Sequence, residues 1–373
     1  MRKRQIKKEI NKKVKKEINK KEINRKANPY GKFLLAAVCA AGTIALCQAV
    51  YAAEPELYTA TDFAMDTVVT ESIYTTGEDV TGEIGTLLRK IESDWLSWTQ
   101  EDSMIARINA SEGQTMEVPD QLASYLEKVM QLSENSNGAL DPTLGKVIRL
   151  WDIGGENPHI PDEYELKQLL ALTGYEKVHL EGKKITLDEG CTLDLGAVGK
   201  GIGCAEITDY LQKQQKITAA LVNLGGSSVL TYGTKPDGSK WQIAITDPRD
   251  TEGDYLGAVA LDGGEFLSTS GDYEKYFMED GVRYHHILDP ETGYPANNGV
   301  CSVTVVCDDA VAADGLSTAC FILGREKSQS LLEKYNAEAL FVDEDHHVTM
   351  TDGMKERFRL LKDSYTVKEL QID

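Results

Sequence analysis

The sequence has no CxxC pair, no repeat of fixed period and no low-complexity linker. It has seven cysteines in 373 residues, and the five that follow residue 53 are odd in number and widely spaced. Such spacing predicts neither a disulfide framework nor a zinc site, so we expect these cysteines to be small buried residues of strands and helices. The sequence also contains neither GxGxxG nor GK[ST], so it has neither the dinucleotide-binding fingerprint nor a P-loop.

Charge is divided unevenly along the chain. The whole sequence carries a net charge of −20, yet residues 1–33 hold 14 Lys and Arg against 3 Glu, which leaves the remainder near −31. No basic cluster interrupts this acidic remainder, so nucleic-acid phosphates would be repelled and nucleic-acid binding is disfavoured. A polyanionic substrate such as a dinucleotide would need a metal ion to offset the charge.

Residues 34–53 carry no charge and are about as long as one membrane crossing. A basic tail followed by an apolar segment is typical of a secretory signal, here with cleavage after Ala52, or of an N-terminal anchor. A buried core helix is the alternative. We therefore predict a basic cytoplasmic tail at 1–33, a signal peptide or membrane anchor at 34–53, and an exported domain at 54–373.

Predicted strands and helices are interspersed without strict alternation, which indicates an α+β fold rather than a doubly wound sheet. β-Branched residues predict a strand over residues 63–74, and apolar spacing predicts helices over 80–93, 122–134 and 164–172. Further strands are predicted at 184–187, 219–222, 228–232, 241–246, 257–261, 300–306, 339–342 and 347–350, and further helices at 200–213, 312–323 and 326–335.

Two glycine-containing turns could hold an anion. Residues 193–201 (LDLGAVGKG) run from a turn into a helix, where backbone N–H groups and the Lys200 ammonium could approach phosphate oxygens. The segment could equally be an ordinary strand-to-helix turn. Residues 223–226 (NLGG) follow a predicted strand, and their glycines leave room for a ligand or simply form a bulge.

Two further segments carry side chains suited to catalysis or metal binding. Residues 268–273 (STSGDY) precede His285 and His286, which lead into the rigid turn DPETGYP. One of two adjacent histidines on a strand faces inward, and we interpret His285 as a hydrogen-bonded structural residue. Asp314 and Thr318 share a helix face, and together with a backbone carbonyl they would suit Mg²⁺. An N-cap aspartate with satisfied hydroxyls is the alternative.

Taken in this order, the segments resemble the ApbE family of FAD:protein FMN transferases over residues 63–324. The strongest matches are HILDPETG at residues 286–293 and STSGD at 268–272, and MDT at 65–67, LSW at 96–98 and GALDPT at 138–143 are also similar to family motifs. Ser227 departs from the pattern, because the family often has aspartate there. The resemblance implies two lobes of an α+β domain around a central site for FAD and magnesium.

The resemblance also implies roles for individual residues. Mg²⁺ would be held by the Ala197 carbonyl, Asp314 and Thr318, with Ser317 at a position that is an aspartate ligand in some members. His286 would lie beside the pyrophosphate. A base that accepts the proton of the acceptor hydroxyl would be useful to such a transfer, and we favour His286 over Asp314 because Asp314 should be committed to the metal. The residues expected to bind FAD are Met65, Trp98, Ala139, Leu140, Asp141, Asp194, Lys200, His286 and Ile287.

The implied reaction is the Mg²⁺-dependent transfer of FMN from FAD to a Thr or Ser hydroxyl of an exported redox protein, which forms a phosphoester and releases AMP. The acceptor would carry a motif of the type Asp-Gly-x-Ser/Thr-Gly-Ala-Thr. Three alternatives remain open at this point: an FAD pyrophosphatase with water as acceptor, a flavin-binding protein without turnover, and a structural cell-surface protein.

Overall fold

The computed structural model describes residues 54–250 and 253–368. The predicted basic tail and the uncharged segment after it, residues 1–53, lie outside the described residues. Within the described ranges, no helix combines the length and the apolar character that a membrane crossing requires.

The described strands are short to medium in length and occur along the whole described chain. They are β1 (Glu56–Ala64), β2 (Thr67–Thr75), β3 (Met116–Glu117), β4 (Val178–Glu181), β5 (Lys184–Leu187), β6 (Ile217–Leu224), β7 (Ser228–Gly233), β8 (Trp241–Thr246), β9 (Tyr255–Leu261), β10 (Phe266–Gly271), β11 (Tyr276–Glu279), β12 (Val282–His285), β13 (Val300–Cys307), β14 (Glu338–Asp343), β15 (His347–Met350), β16 (Phe358–Leu360) and β17 (Thr366–Lys368).

The described α-helices lie between these strands. They are α1 (Thr81–Ile91), α2 (Met104–Asn109), α3 (Asp120–Asn135), α4 (Gly145–Trp151), α5 (Glu163–Leu170), α6 (Gly199–Lys213), α7 (Ala310–Lys334) and α8 (Asp352–Lys355). A π-helical turn, Glu92–Leu96, continues α1, and a 3₁₀ turn, Tyr175–Lys177, precedes β4.

Nine of the described strands form one sheet in the order β1-β2-β6-β7-β10-β13-β14-β15-β17. Neighbouring strands in this sheet are antiparallel except β15 and β17, which are parallel. Helices α1, α6 and α7 pack against this sheet, and α3 packs on α7. The α+β fold predicted from the sequence is therefore confirmed.

Two large apolar clusters lie on the two faces of the sheet. The larger joins the sheet to the helices and includes Ile73 of β2, Leu88 of α1, Ile202 of α6 and Leu316 of α7. The smaller joins the other face to the strands β8 and β9. The five cysteines after residue 53 are buried free thiols, as predicted. Four of them lie in strands or helices as expected, and Cys191 lies in a loop.

The prediction of a single strand over residues 63–74 was wrong, because the chain forms a hairpin there. Strands β1 and β2 pair antiparallel across a two-residue turn at Met65 and Asp66. Both turn residues have positive φ angles, 53° and 55°. Such turns usually contain Gly or Asn, and the absence of either from residues 63–67 removed the signal that would have split the strand.

Helix α7 contains both of the helices predicted at its position. Gly324 interrupts the helical geometry with φ 75° and ψ 171°, and so divides α7 into two halves. The N-cap of α7 is Asp309, whose side chain accepts a hydrogen bond from the backbone N–H of Ala312 at 3.0 Å. The interpretation of Asp314 as the N-cap is therefore wrong, and Asp314 is free to contact other elements.

Candidate active site

Asp314 lies at the contact between α6, α7 and the central sheet, with 6% of its surface exposed. Its Oδ2 atom accepts a hydrogen bond of 2.7 Å from the backbone N–H of Gly201 in α6. Its Oδ1 atom accepts hydrogen bonds from the hydroxyls of Ser228 at 3.0 Å and Ser268 at 2.7 Å. Three donors from three different elements therefore hold this buried carboxylate in one orientation.

A cluster of hydroxyl groups lies one helical turn beyond Asp314. Ser270 Oγ of β10 is 2.8 Å from Ser317 Oγ and 3.2 Å from Thr318 Oγ1 of α7. Ser317 Oγ also donates to the backbone oxygen of Asp314 at 2.8 Å. The carboxylate and the hydroxyls together line the side of α7 that faces β10 with oxygen atoms.

The loop that begins α6 lies against the same part of α7. A Cβ atom on Gly201 would lie 2.5 Å from the Ala310 carbonyl oxygen and 2.7 Å from the Asp314 Cβ, so only glycine fits this contact. A Cβ on Gly315 would lie 3.1 Å from a methyl group of Val198, the residue after Ala197. Lys200, in the first turn of α6, donates a short hydrogen bond from Nζ to Ser227 Oγ.

The predicted metal ligands can be tested against the chemistry of these donors. Asp314, Ser317 and Thr318 supply only oxygen, the ligand that Mg²⁺ prefers, and the Ala197 carbonyl belongs to the adjoining loop. In the described part of the chain, no group of three or more His, Cys, Asp or Glu is placed to hold a metal. The residues therefore fit a cation such as Mg²⁺ that takes one carboxylate and completes its shell with neutral oxygens, water and substrate phosphate.

His286 follows directly after β12 and is half-buried. Its Nδ1 atom is 3.2 Å from the backbone oxygen of Lys275, which can only accept, so the neutral ring carries its proton on Nδ1. Burial lowers the pKa of His286 to about 4, and the positive charges of Lys275 and Lys200 also lower it. Above that pH the ring is neutral, and its Nε2 atom can accept a proton.

His285 has the structural role predicted for it. Its Nε2 atom is 3.0 Å from the backbone oxygen of Ala296, and its ring lies edge-on to Phe321 of α7. The DPETGYP turn that follows is closed by hydrogen bonds from Thr292 and Gly293 to the Asp289 carbonyl. This turn is fixed to α4 because the Trp151 indole donates to the Gly293 carbonyl at 2.7 Å.

Trp98, Asp194 and Asp141 lie around α4. The Trp98 ring is 43% exposed and lies against the guanidinium of Arg149, whose Cζ is 4.4 Å from the ring centroid. Asp194 is 4.0 Å from Arg149, and its backbone N–H donates to the Pro142 carbonyl next to Asp141. Burial raises the pKa of Asp141, and hydrogen bonds from Thr143 oppose that rise.

The remaining predicted FAD contacts have buried or half-buried side chains. Ala139, Leu140 and Ile287 belong to the apolar core, so their backbone atoms are the groups available to a ligand. Met65 projects from the β1–β2 turn towards α6, where a Cβ on Gly203 would lie 3.0 Å from its sulfur.

No role was predicted from the sequence for Ser228, Ser268 and Arg149, which contact the predicted site residues. Ser228 and Ser268 face each other across β7 and β10 and both donate to Asp314. For Ser268 the signal in the sequence was the run STSGDY at residues 268–273, which predicted no role for that serine; Ser228 had no signal. Arg149 had no signal, because its partners Trp98 and Asp194 are distant in sequence.

Comparisons with known proteins agree on one family. A model described as the ApbE family matches residues 65–341. A protein of Treponema pallidum named FAD:protein FMN transferase is 38% identical over 296 residues, which cover 75% of this chain and 81% of that protein. A Vibrio cholerae protein of the same name is 35% identical over 278 residues, covering 74% of this chain and 80% of that protein.

Solved structures show the same likeness. The crystal structure of the ApbE protein of Thermotoga maritima superposes with a TM-score of 0.75 at 32% identity, covering 82% of this chain and 100% of that one. The apo form of the flavinyl transferase ApbE of Pseudomonas stutzeri gives a TM-score of 0.72 at 31% identity, covering 82% of this chain and 98% of that one.

Proposed function

The chain belongs to the ApbE family, and we propose that it transfers FMN from FAD to a Thr or Ser hydroxyl of an exported protein with the help of Mg²⁺. It is an enzyme, an FAD:protein FMN transferase, as its relatives are named. The magnesium ion, the phosphoester bond, the exported acceptor and the individual site residues are the parts of this function that we propose.

The observation that carries the proposal is the oxygen-rich contact between α6 and α7. The Asp314 carboxylate is fixed by three donors, and the hydroxyls of Ser270, Ser317 and Thr318 lie one turn away. The start of α6, with Lys200, adjoins this surface, so a cation and a helix N-terminus would both face one anionic substrate.

Bound Mg²⁺ would offset the charge that develops on the leaving phosphate of AMP. Ala197, Asp314 and Thr318 would hold it, and Ser317 would supply a neutral oxygen at a position where an aspartate would add charge. Lys200 would supply a second positive charge from the protein itself, close to the pyrophosphate.

His286 is our candidate for the base. With its proton on Nδ1 and its pKa lowered to about 4, it is neutral at ordinary pH, and Nε2 is the free acceptor. Asp314 is the weaker candidate because both of its oxygens already accept hydrogen bonds. His286 would take the hydroxyl proton while the enzyme holds the two reactants in line.

The proposed transfer is a single displacement at the FMN phosphorus. The hydroxyl oxygen of the acceptor forms a bond to the FMN phosphorus, and the bond from that phosphorus to the bridging oxygen breaks. The hydroxyl proton goes to His286 Nε2, and AMP leaves with the bridging oxygen. The product is FMN joined to the acceptor by a phosphoester.

Covalent labelling of an acceptor tests this function directly. The full chain is incubated with FAD, Mg²⁺ and a protein that carries the Asp-Gly-x-Ser/Thr-Gly-Ala-Thr motif, and in-gel flavin fluorescence and AMP release are followed. We expect labelling by the wild type to stop on addition of EDTA and to be lost in Asp314→Ala. Asp309→Ala is the matched control, because it removes a carboxylate from the N-cap of the same helix.

Undiminished labelling in Asp314→Ala would contradict our metal assignment. Release of AMP at the same rate with and without acceptor, and with no labelled protein, would instead favour the FAD pyrophosphatase. The predicted export can be examined separately: fractionation of cells and N-terminal sequencing would show where the domain resides and whether residues 1–52 are removed.

A further inference from the structure

We propose that Arg149, which no motif of the sequence identifies, is a substrate-binding residue whose guanidinium donates a hydrogen bond to the half of FAD that lies beside Trp98. The inference rests on the proposed function, because Trp98 and Asp194 enter it as FAD contacts. It adds a residue to that site and gives it a stated partner, an acceptor atom of the half of FAD that lies beside Trp98.

The position of Arg149 is set by α4. Its Cζ lies 4.4 Å from the centroid of the Trp98 ring, and its NH1 atom lies 4.0 Å from Asp194 Oδ2. The absence of a side chain on Gly145, one turn earlier, makes room for this arrangement. A Cβ there would lie 2.9 Å from the Asp194 Cβ and 3.1 Å from Arg149 NH1.

The hydrogen bonds of this guanidinium are incomplete. Arg149 NH1 is buried and has no hydrogen-bond partner, and the 4.0 Å separation from Asp194 exceeds hydrogen-bonding distance. Asp194 uses its other carboxylate oxygen, Oδ1, to accept from the backbone N–H of Gly196 at 2.9 Å. A buried cationic donor without a partner is unfavourable. Because 31% of the Arg149 side chain is exposed, a small shift of the guanidinium would bring NH1 to an acceptor that a ligand supplies, and that hydrogen bond would be strong.

The surroundings of Arg149 also match a stacked ring. Trp98 is 43% exposed, although its indole lies against a cation, and an exposed indole is a good surface for a flat heteroaromatic ring. Burial lowers the pKa of Arg149, and the charge of Asp194 opposes this. A guanidinium nevertheless stays protonated at ordinary pH, so its donors are available throughout the working range.

Ligand binding to the full chain tests the assignment. FAD, FMN and ADP are titrated separately by isothermal calorimetry into the wild type, Arg149→Met and Arg149→Lys. We expect Arg149→Met to weaken FAD binding at least tenfold and to weaken only one of FMN and ADP by a similar factor, which identifies the half on Trp98. Arg149→Lys should recover part of that loss, because it keeps the charge without the planar fork.

Arg325→Met is the matched control. Arg325 has the same 31% side-chain exposure and also has a buried nitrogen without a hydrogen-bond partner, but it lies after Gly324 in the second half of α7. We expect it to leave the binding of all three ligands unchanged.

The labelling assay provides a second measurement. There, Arg149→Met should raise the KM for FAD at least tenfold and leave kcat within about threefold.

Two results would overturn the inference. One is binding of all three ligands to Arg149→Met within twofold of the wild type. The other is an equal loss for FAD, FMN and ADP, since that would mean Arg149 acts only through the shape of the whole site. A wild-type chain that binds none of the three would overturn the proposed function as well, and so the two failures are distinguishable.

Discussion

Asp314 and Glu71 are both buried carboxylates, but the regions around them differ. Asp314 is 6% exposed and Glu71 is 2% exposed. Asp314 lies where α6 and α7 meet β7 and β10, and three hydrogen-bond donors reach it. Glu71 lies on β2, near the edge of the sheet, and neither of its carboxylate oxygens has a hydrogen-bond partner.

The neighbouring strands account for this difference. Ser268 stands opposite Ser228 across β10 and β7, so hydroxyls from both strands point at Asp314. Ala60 and Val222 stand opposite Glu71 on β1 and β6, and neither side chain can donate. Burial raises the pKa of Glu71 to about 8, and the charges of Asp62 and Asp79 also raise it. Burial without a hydrogen-bond donor therefore favours the neutral form of Glu71.

The largest effect is expected from replacing the two carboxyl groups by amides in turn. Asp314→Asn should lower the rate of acceptor labelling on the order of 10²–10³-fold, because the proposed cation loses its only carboxylate ligand. Glu71→Gln should leave the rate within about twofold. Initial rates from in-gel flavin fluorescence at saturating FAD would measure both. An equal loss of labelling rate in the two variants would contradict the assignment of Asp314, and not Glu71, to the site.

A large effect on stability is expected at Glu71. Its pKa is raised from 4.5 to about 8 on folding, so between those values the folded state holds a proton that the unfolded state has released. The free energy of unfolding should therefore fall as pH rises through this window. Glu71→Gln cannot ionise and should escape the fall, with an advantage over the wild type of up to about 4 kcal/mol at pH 8.

Urea unfolding at pH 4.5 and at pH 8 measures that advantage. The two proteins should differ little at pH 4.5, where Glu71 is largely protonated in the folded state. If Glu71→Gln is more stable than the wild type by the same free energy of unfolding at both pH values, Glu71 does not take up a proton on folding.

An intermediate effect is expected from removing the hydroxyls around Asp314. Of the three donors described above, the double variant Ser228→Ala/Ser268→Ala leaves the Gly201 N–H, and the surroundings of Asp314 become closer to those of Glu71, which has no donor. We expect about a tenfold lower labelling rate, equivalent to roughly 1–2 kcal/mol for the two hydrogen bonds. Thr269→Ser on the same strand is a control of similar size. An unchanged rate would mean that one backbone donor is sufficient to position Asp314.

The smallest effect is expected from giving Glu71 a donor. Val222→Thr is nearly isosteric and places a hydroxyl opposite Glu71 on β6. One hydrogen bond to the carboxylate should recover about 1 kcal/mol of the stability lost between pH 4.5 and pH 8. Urea unfolding of this variant at the two pH values would show it. A variant that is less stable than the wild type by the same amount at both values would argue against the contact.

Much of the fold could be predicted because periodicity is a local property. The strands at 184–187, 241–246 and 347–350 and the helix that ends at Lys213 follow from alternation and from helical spacing of apolar residues. The β1–β2 hairpin could not be predicted, because its turn uses Met65 and Asp66 at positive φ without glycine. There the packing of the two strands overrides the turn propensity of the residues.

The site could be predicted only in part. The spacing of Asp314, Ser317 and Thr318 on one helix was visible, because all three lie within about one turn. The groups that hold Asp314 lie 113, 86 and 46 residues away from it in sequence, so only the packed sheet brings them together. The role proposed for Arg149 likewise depends on its contacts with Trp98 and Asp194, which are distant from it in sequence.

The β1–β2 turn has a mechanical consequence for the start of α6. Gly199 and Gly203 are one turn apart on that helix, and the Met65 side chain lies over the space that their missing side chains leave. The turn of the β1–β2 hairpin therefore packs closely against α6, the helix that carries Lys200, at the two glycines. A bulkier residue at position 203 would push the hairpin and the helix apart, so the packing of the β1–β2 turn helps to fix the position of the first turn of α6.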